Sequence, residues 1–559
     1  MQQKPHVAKV QHFEKPAPSL HAIEFDKVNF SYGALSQKKY PILNDVTLKI
    51  ARGECVCLTG PSGCGKTTLT RLCNGLIPTF YEGVKQGRVL IDGIELEQWE
   101  MDDLCRVVGS VFQNPRSQFF NLDTTSELAY GCENLGIRRE EILNRVAQTV
   151  ETLGLQNLLE RDIHDLSGGQ RQLLALGTVC AMGTEIFILD EPTANLDAAA
   201  TQAVKRTLQR LKELKKTILI VEHRLHWLEG LVDRVVCMSE GHIVHDWHVQ
   251  EFAALPPRTT AELGLRAWAL RDLCLGPQAQ TSREHPRDTA RALDIQADGI
   301  RAGYGPRREI LKGLSFSATG GHAIAVVGRN GQGKSTLAQV MAGLLRETYG
   351  GLAISAQPLD VRRRTGCVYL VLQESGYQLF GTSVRKEFEI SLAPAGSAAS
   401  RAPVPLGPAH IDELIERFGL SGTDERHPAS LSGGEKQRLA VAVGVYAGAK
   451  VLVLDEPTSG LDLANMRRCA GEIRRLADEG RCIFVITHDA ELVTSACDQV
   501  IEVADGRVRS AYELTDETLP RVLEVLAPDH VGAEVSLTAS GDFGRARKEE
   551  FSGAYRPGG

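Results

Sequence analysis

GPSGCGKT, at Gly60–Thr67, stands between the apolar run CVCLT and the helical pattern TLTRLCNGL. A Gly-rich turn between a strand and a helix is the context a phosphate-binding loop requires. Its glycines let successive backbone N–H groups turn toward an anion, and the helix N-terminus adds partial positive charge. Lys66 would reach the β- and γ-phosphates, and Thr67 would ligate Mg2+. The same eight-residue pattern returns as GRNGQGKS at Gly328–Ser335, which puts Lys334 and Ser335 in the same two roles.

Working outward from these loops, the chain repeats itself. FSYG at Tyr32 is matched by AGYG at Tyr304, and SVFQNPRSQFF around Gln113 by LVLQESGYQLF around Gln373. LSGGQ (Leu166–Gln170) is matched by LSGGE (Leu431–Glu435), and IFILDEPTANLD by VLVLDEPTSGLD. Ser167 and Ser432, Glu191 and Glu456, Asp197 and Asp462, and His223 and His488 each lie 265 residues apart. Two copies of one domain are therefore joined head to tail. The boundaries predicted are 20–250 and 292–515, with a linker at 251–291 that carries one helix and a mobile tail at 516–559. Within each copy, short apolar runs such as Glu54–Thr59, Ile186–Leu189 and Thr217–Val221 alternate with helical patterns. The predicted fold is α/β, a parallel sheet covered by helices.

Composition excludes several classes. The 559 residues carry 63 Lys plus Arg against 70 Asp plus Glu, a net charge of -7, which argues against a nucleic-acid partner. No run approaches the roughly 18 consecutive apolar residues that cross a bilayer. The 13 cysteines form no C-x-x-C pair, and the N-terminal residues lack an apolar signal core, so a reducing, cytoplasmic setting is expected.

The remaining motifs divide the chemistry. Four apolar residues precede Asp190 and Asp455, a buried strand delivering each carboxylate to its C-terminal end, where each would hold the Mg2+ shell. Glu191 and Glu456 follow as candidate general bases that polarise a water toward the γ-phosphorus; a helix-capping turn is the plainer reading of each Asp-Glu pair. His223 and His488 end apolar strands 32 residues beyond those glutamates, placed to contact the γ-phosphate and sense its hydrolysis. Tyr32 and Tyr304 are candidates for stacking on adenine, or simply packed tyrosines. LSGG adds a second set of anion-receptive N–H groups at a helix start, and the simplest geometry pairs each loop with the opposite copy's LSGG. His242, His245 and His248 look like a metal cluster, but their spacing near a strand end is poor ligand geometry.

On these motifs the chain resembles a tandem ATP-binding-cassette ATPase, over nearly all of both copies. The resemblance implies P-loop NTPase domains forming a head-to-tail sandwich with two ATP molecules and Mg2+ at the interface. One site would comprise Tyr32, Gly60, Pro61, Ser62, Gly63, Cys64, Gly65, Lys66, Thr67, Thr68, Gln113, Asp190, Glu191 and His223, with Ser432, Gly433 and Gly434. The other would comprise Tyr304, Gly328, Arg329, Asn330, Gly331, Gln332, Gly333, Lys334, Ser335, Thr336, Gln373, Asp455, Glu456 and His488, with Ser167, Gly168 and Gly169. It implies that Gln113 and Gln373 serve both catalysis and the metal, and that Asp197 and Asp462 fall at loops that cross-talk between the sites. Both copies keep the full set, so two competent hydrolytic sites are expected; Glu435 in place of Gln is the one signature departure, read as mild.

The shared Q-x(4)-Q-[FL]-F…E pattern resembles energy-coupling-factor importers of cobalt, nickel and vitamins. There it implies a groove for a transmembrane coupling protein, carried over to Gln118, Phe119, Phe120 and Glu127 and to Gln378, Leu379, Phe380 and Glu387; Phe119 and Phe120 as plain core aromatics is the alternative. A small substrate-binding membrane subunit and a peripheral position on the cytoplasmic face of the inner membrane follow from the same resemblance. A tandem sugar importer and a ribosome-associated tandem cassette factor remain as other readings. A DNA-repair cassette protein, which would carry inserted domains with CxxC zinc sites, does not fit.

Overall fold

The computed structural model describes residues 19–33, 41–275, 293–305, 308–391 and 409–528. Each copy contains a six-stranded sheet. In the first copy its order is His242–His248, Arg234–Ser239, Cys55–Thr59, Thr217–Val221, Ile186–Asp190 and Val108–Val111. The last five run parallel, and the edge strand His242–His248 is antiparallel. In the second copy the order is Val368–Val371, Val451–Asp455, Cys482–Ile486, Ala323–Val327, Gln499–Ala504 and Arg507–Glu513, again with one antiparallel edge. The three apolar runs read from the sequence are strands at the sheet centre.

These strands are apolar throughout because both faces are covered. Cys55, Cys57, Phe187, Leu189, Ile218 and Ile220 pack into one core, with the helices Gly168–Ala181 and Ala198–Glu213 on that side. The alternate residues Val56, Leu58, Ile186, Ile188, Leu219 and Val221 pack into another. That second core is closed by an antiparallel sheet ordered Leu43–Ala51, His21–Tyr32, Gly83–Ile91 and Ile94–Glu95. Its counterpart in the second copy is ordered Glu309–Thr319, Asp294–Gly303, Tyr349–Ile354 and Gln357–Leu359. A parallel sheet alone is therefore too simple a description. The strand HAIEFDKVNFSY buries residues in near alternation, the mark of a sheet packed on one face.

Two expected boundaries shift. In the expected linker, Phe252, Leu265, Trp268 and Ala269 belong to the first copy's core, while Leu270 and Leu275 belong to the second's. Among its described residues are two short helices, Val249–Ala253 and Pro257–Glu262. The predicted tail likewise begins with a helix, Leu519–Leu526, whose apolar face (Leu519, Val522, Leu523, Leu526) is buried in the second copy. Residues 276–292 of the expected linker region and 529–559 of the tail lie outside the described residues. No described helix is long and apolar enough to cross a membrane.

Candidate functional site

Both Gly-rich loops sit where expected, between a central strand and a helix (Lys66–Cys73 and Lys334–Met341). Gly60 and Gly328 adopt φ 140° and 145°, and a Cβ there would lie 2.1 Å from the Met238 carbonyl oxygen and 2.2 Å from that of Val503. Only glycine lets the loop pass so close to the neighbouring strand. A Cβ on Gly63 or Gly331 would meet nothing within 4 Å, so these two backbones border open space. Lys66 Nζ donates to the carbonyls of Gly60 (2.8 Å) and Pro61 (2.9 Å) and lies 3.8 Å from Cys64 Sγ. Lys334 Nζ likewise donates to Gly328 (2.6 Å) and Arg329 (3.0 Å). In the second loop the Gln332 carboxamide oxygen accepts from Asp505 N. Thr68 and Thr336, one residue past the Mg2+ candidates, are buried.

The two Asp-Glu pairs end the strands Ile186–Asp190 and Val451–Asp455. Thr67 and Asp190 line one pocket and Ser335 and Asp455 another, so each hard-oxygen pair expected to hold Mg2+ is already brought together. Glu191 and Glu456 both lie in the left-handed region, at φ 45° and 50°, each anchored by its N–H to the end of the next strand, at Val221 and Ile486. Strain repeated at equivalent glutamates is a mark of function. Burial, with Glu222 and Asp190 close by, pushes the Glu191 carboxyl up to about 8, and burial beside Asp455 pushes Glu456 up to about 7. His223 Nε2 lies 3.5 Å from Glu191 Oε1, and His488 Nε2 lies 3.6 Å from Glu456 Oε1. Burial lowers His223 to about 3 and His488 well below its ordinary value, so both rings are neutral at physiological pH.

The decisive geometry crosses between the copies. Asp462 caps the helix Leu463–Asp478 with one carboxylate oxygen, and with the other accepts from Ser62 N at 2.6 Å. Asp197 does the same, capping Ala198–Glu213 and accepting from Asn330 N at 2.8 Å. A cavity of about 540 Å³ brings Tyr304, Gly331, Gly333, Lys334, Ser335, Thr336, Gln373, Asp455 and Glu456 together with Ser167 and Gly168 of the other copy. A second, of about 800 Å³, brings Ser62, Gln113 and Glu191 together with Ser432, Gly433 and Gly434. Gly169 lies under the helix start, where a Cβ would meet Ala200 at 2.4 Å. Ser167 and Ser432 each cap the following helix and close a capping box with Gln170 and Glu435.

The copies differ in detail. Gln113 Nε2 donates to Glu191 Oε2 at 2.8 Å, whereas Gln373 Nε2 reaches across to Asn195 Oδ1 at 2.9 Å. The reason lies at one position: opposite Gln113 stands Gly460, whose missing Cβ would sit 2.8 Å from Glu191 Oε2, where the other copy has Asn195. Tyr304 is half exposed, with its hydroxyl donating to Gln339 Oε1 at 2.7 Å. Tyr32 packs edge-on against Phe30, and its hydroxyl is engaged by Thr68 and Arg71.

One expectation needs correction. Glu127 and Glu387 do not face outward: they are 3% and 4% exposed. Glu127 Oε2 accepts from the backbones of Phe120 (3.1 Å) and Asn121 (2.8 Å), and Glu387 Oε2 from Gly381 at 2.5 Å. They hold the loop in shape. Gln118 and Gln378 strap the same loop by accepting from Phe112 N and Leu372 N. Phe119 and Leu379 turn into the core, while Phe120 and Phe380 are 72% and 76% exposed. Of the suspected metal cluster, His245 stacks on Trp247 and His248 caps a helix.

The motifs did not reveal Arg266. This fully buried linker arginine is paired with Asp489 and bonded to Glu491 at 2.9 Å and to the Leu461 carbonyl at 3.3 Å. A lone arginine inside the apolar stretch LGLRAWAL was the available signal.

The ABC transporter family matches residues 43–194 and 311–459. A Treponema denticola protein named as an ABC transporter ATP-binding protein is 40% identical, over 87% of this chain and 96% of its own length. A Bacillus subtilis protein named for HMP/thiamine import ATP-binding, YkoD, is 31% identical over 86% of this chain and 89% of its own. Among solved structures, the archaeal ribosome recycling factor aABCE1, in complex with the stalk protein aP1, is similar with a TM-score of 0.56. It covers 89% of this chain and 92% of that one at 20% identity, a likeness of fold alone. With both copies matched and full-length relatives of this kind, the chain belongs to the ABC transporter family, as an ATP-hydrolysing protein with two ATP-binding domains in tandem.

Proposed function

We propose that this chain is the ATP-hydrolysing subunit of an energy-coupling-factor-type importer, driving uptake of a vitamin or metal cation through separate membrane subunits on the cytoplasmic face of the inner membrane. The observation that carries the enzymatic part is the reciprocal contact of Asp462 with Ser62 N and of Asp197 with Asn330 N, which supports the reading that each LSGG helix start completes the other copy's loop. Backbone N–H groups of Ser62–Thr67 and of Asn330–Ser335 would cradle the phosphates, with Lys66 and Lys334 exchanging their carbonyl contacts for phosphate oxygens. Thr67 with Asp190, and Ser335 with Asp455, would hold Mg2+, which neutralises phosphate charge. Glu191 and Glu456 take a proton from the attacking water, its oxygen bonds to the γ-phosphorus, and the bond to the β-phosphate oxygen breaks to leave ADP and phosphate. Neutral His223 and His488, beside those carboxylates, orient them and register the γ-phosphate.

The importer reading draws on the relative named for HMP/thiamine import and on Phe120 and Phe380, apolar side chains exposed at equivalent places on the two copies. Phe120, stacked on Tyr130, and Phe380, three residues from exposed Tyr377, each give an exposed aromatic cluster that suits a helix of a membrane partner. Replacing both, F120A with F380A, is expected to release the membrane partner during co-purification while leaving ATP binding to the isolated subunit intact. Retention of the partner overturns the docking assignment.

A further inference from the structure

The two cavities that hold the LSGG helix starts are lined by different charged groups. Around Lys334 the shared cavity is lined by Arg116, Arg171 and Arg308 as well, against Glu374, Asp455 and Glu456. Around the Lys66 copy's Glu191, the larger cavity offers Lys436 and Arg438 against Glu191, Glu374, Glu435 and Glu456. Space differs too. On the Lys334 side one cavity runs from Tyr304 to Ser167, whereas on the Lys66 side Thr67, Arg71 and Asp190 line a separate pocket of about 260 Å³.

The sharpest difference falls on the LSGG grips. In the grip that faces Lys334, Gln170 Oε1 takes the Ser167 N–H at 3.0 Å. In the grip that faces Glu191, Glu435 Oε2 takes both the Ser432 N–H and the Ser432 hydroxyl proton, each at 2.7 Å. These bonds hold the Glu435 carboxyl below its ordinary range, so a full negative charge sits on the helix start. In both grips the serine N–H is taken by its own helix, but Ser432 also commits to a carboxylate the hydroxyl proton that Ser167 can offer to an anion, and the adjacent charge repels one.

We infer that the two sites bind ATP unequally, that the Lys66 site is the weaker, and that Glu435 is the residue that sets the difference. This rests on the reading of both cavities as ATP sites. Titration calorimetry of the full-length chain with Mg2+ and the non-hydrolysable analogue AMP-PNP tests it. Two affinity classes roughly tenfold apart are expected, the scale of one lost charge-assisted contact. K66A should remove the weaker class and K334A the tighter. E435Q, which restores the first copy's capping box, should tighten the weaker class by roughly tenfold, and the reciprocal Q170E should weaken the tighter one by a similar factor. A single affinity class, a weaker class that K334A removes, or an E435Q profile identical to wild type overturns the inference. Complete absence of AMP-PNP binding overturns the ATP-site reading itself.

Discussion

Glu191 and Glu456 combine three properties that an ordinary surface carboxylate lacks: left-handed backbone, burial, and a neutral histidine within 3.6 Å. Their raised pKa values suit groups that must accept a proton from water near neutral pH. E191Q combined with E456Q keeps the shape and removes the base. Turnover is expected to fall by roughly 10²–10⁴-fold, the usual contribution of general-base catalysis, while ATP stays bound and the two halves remain closed. ATPase assay with a filter-binding measurement of retained nucleotide checks this, and unchanged turnover contradicts the assignment. At this scale the sequence was highly legible: the Gly-rich loops, the buried glutamates and the Asp residues at the strand ends stand where their motifs lie. What stayed hidden was direction. Glu127 and Glu387 read as surface acids because a one-dimensional pattern does not say whether a carboxylate faces a partner or its own loop's N–H groups.

At the scale of elements, the segment between the domains does more than span a gap. Its Arg266 is sealed between Asp489 and Glu491 of the second copy, and its Trp268 packs edge-on against Phe252 of the first. Removing one partner of such a cluster leaves buried charge unpaired, so R266A should cost about 3–5 kcal/mol of stability in denaturant unfolding. The sign of the pH dependence follows from Asp489, whose carboxyl Arg266 holds down at about 2. A depressed carboxyl contributes stability above its unfolded value near 3.8 and loses that contribution as pH falls toward 2. The stability gap between wild type and D489N is therefore expected to be widest above pH 4 and to narrow on acidification. A gap that widens on acidification contradicts the pairing. Apolar runs and turn glycines made the strands and loops readable. The segment's packing was not readable, because short helices and single aromatic anchors carry no period.

Across the whole molecule, the internal repeat predicted two similar domains, and the two LSGG motifs predicted that each loop pairs with the opposite copy's helix start. The repeat did not predict their inequality. That resides in single positions inside the repeated motifs where the two copies differ: Asn195 against Gly460, and Gln170 against Glu435. Each pair is a small change in sequence, but it falls where the two copies meet and so alters a site built by both. The central claim, that each half completes the other's nucleotide site, can be read directly by photolabelling the S167R variant with an azido-ATP and mapping the labelled peptides. The account predicts that label disappears from peptides of the second copy around Lys334 and persists on those around Lys66; loss from the Lys66 peptides with the Lys334 peptides still labelled would contradict it.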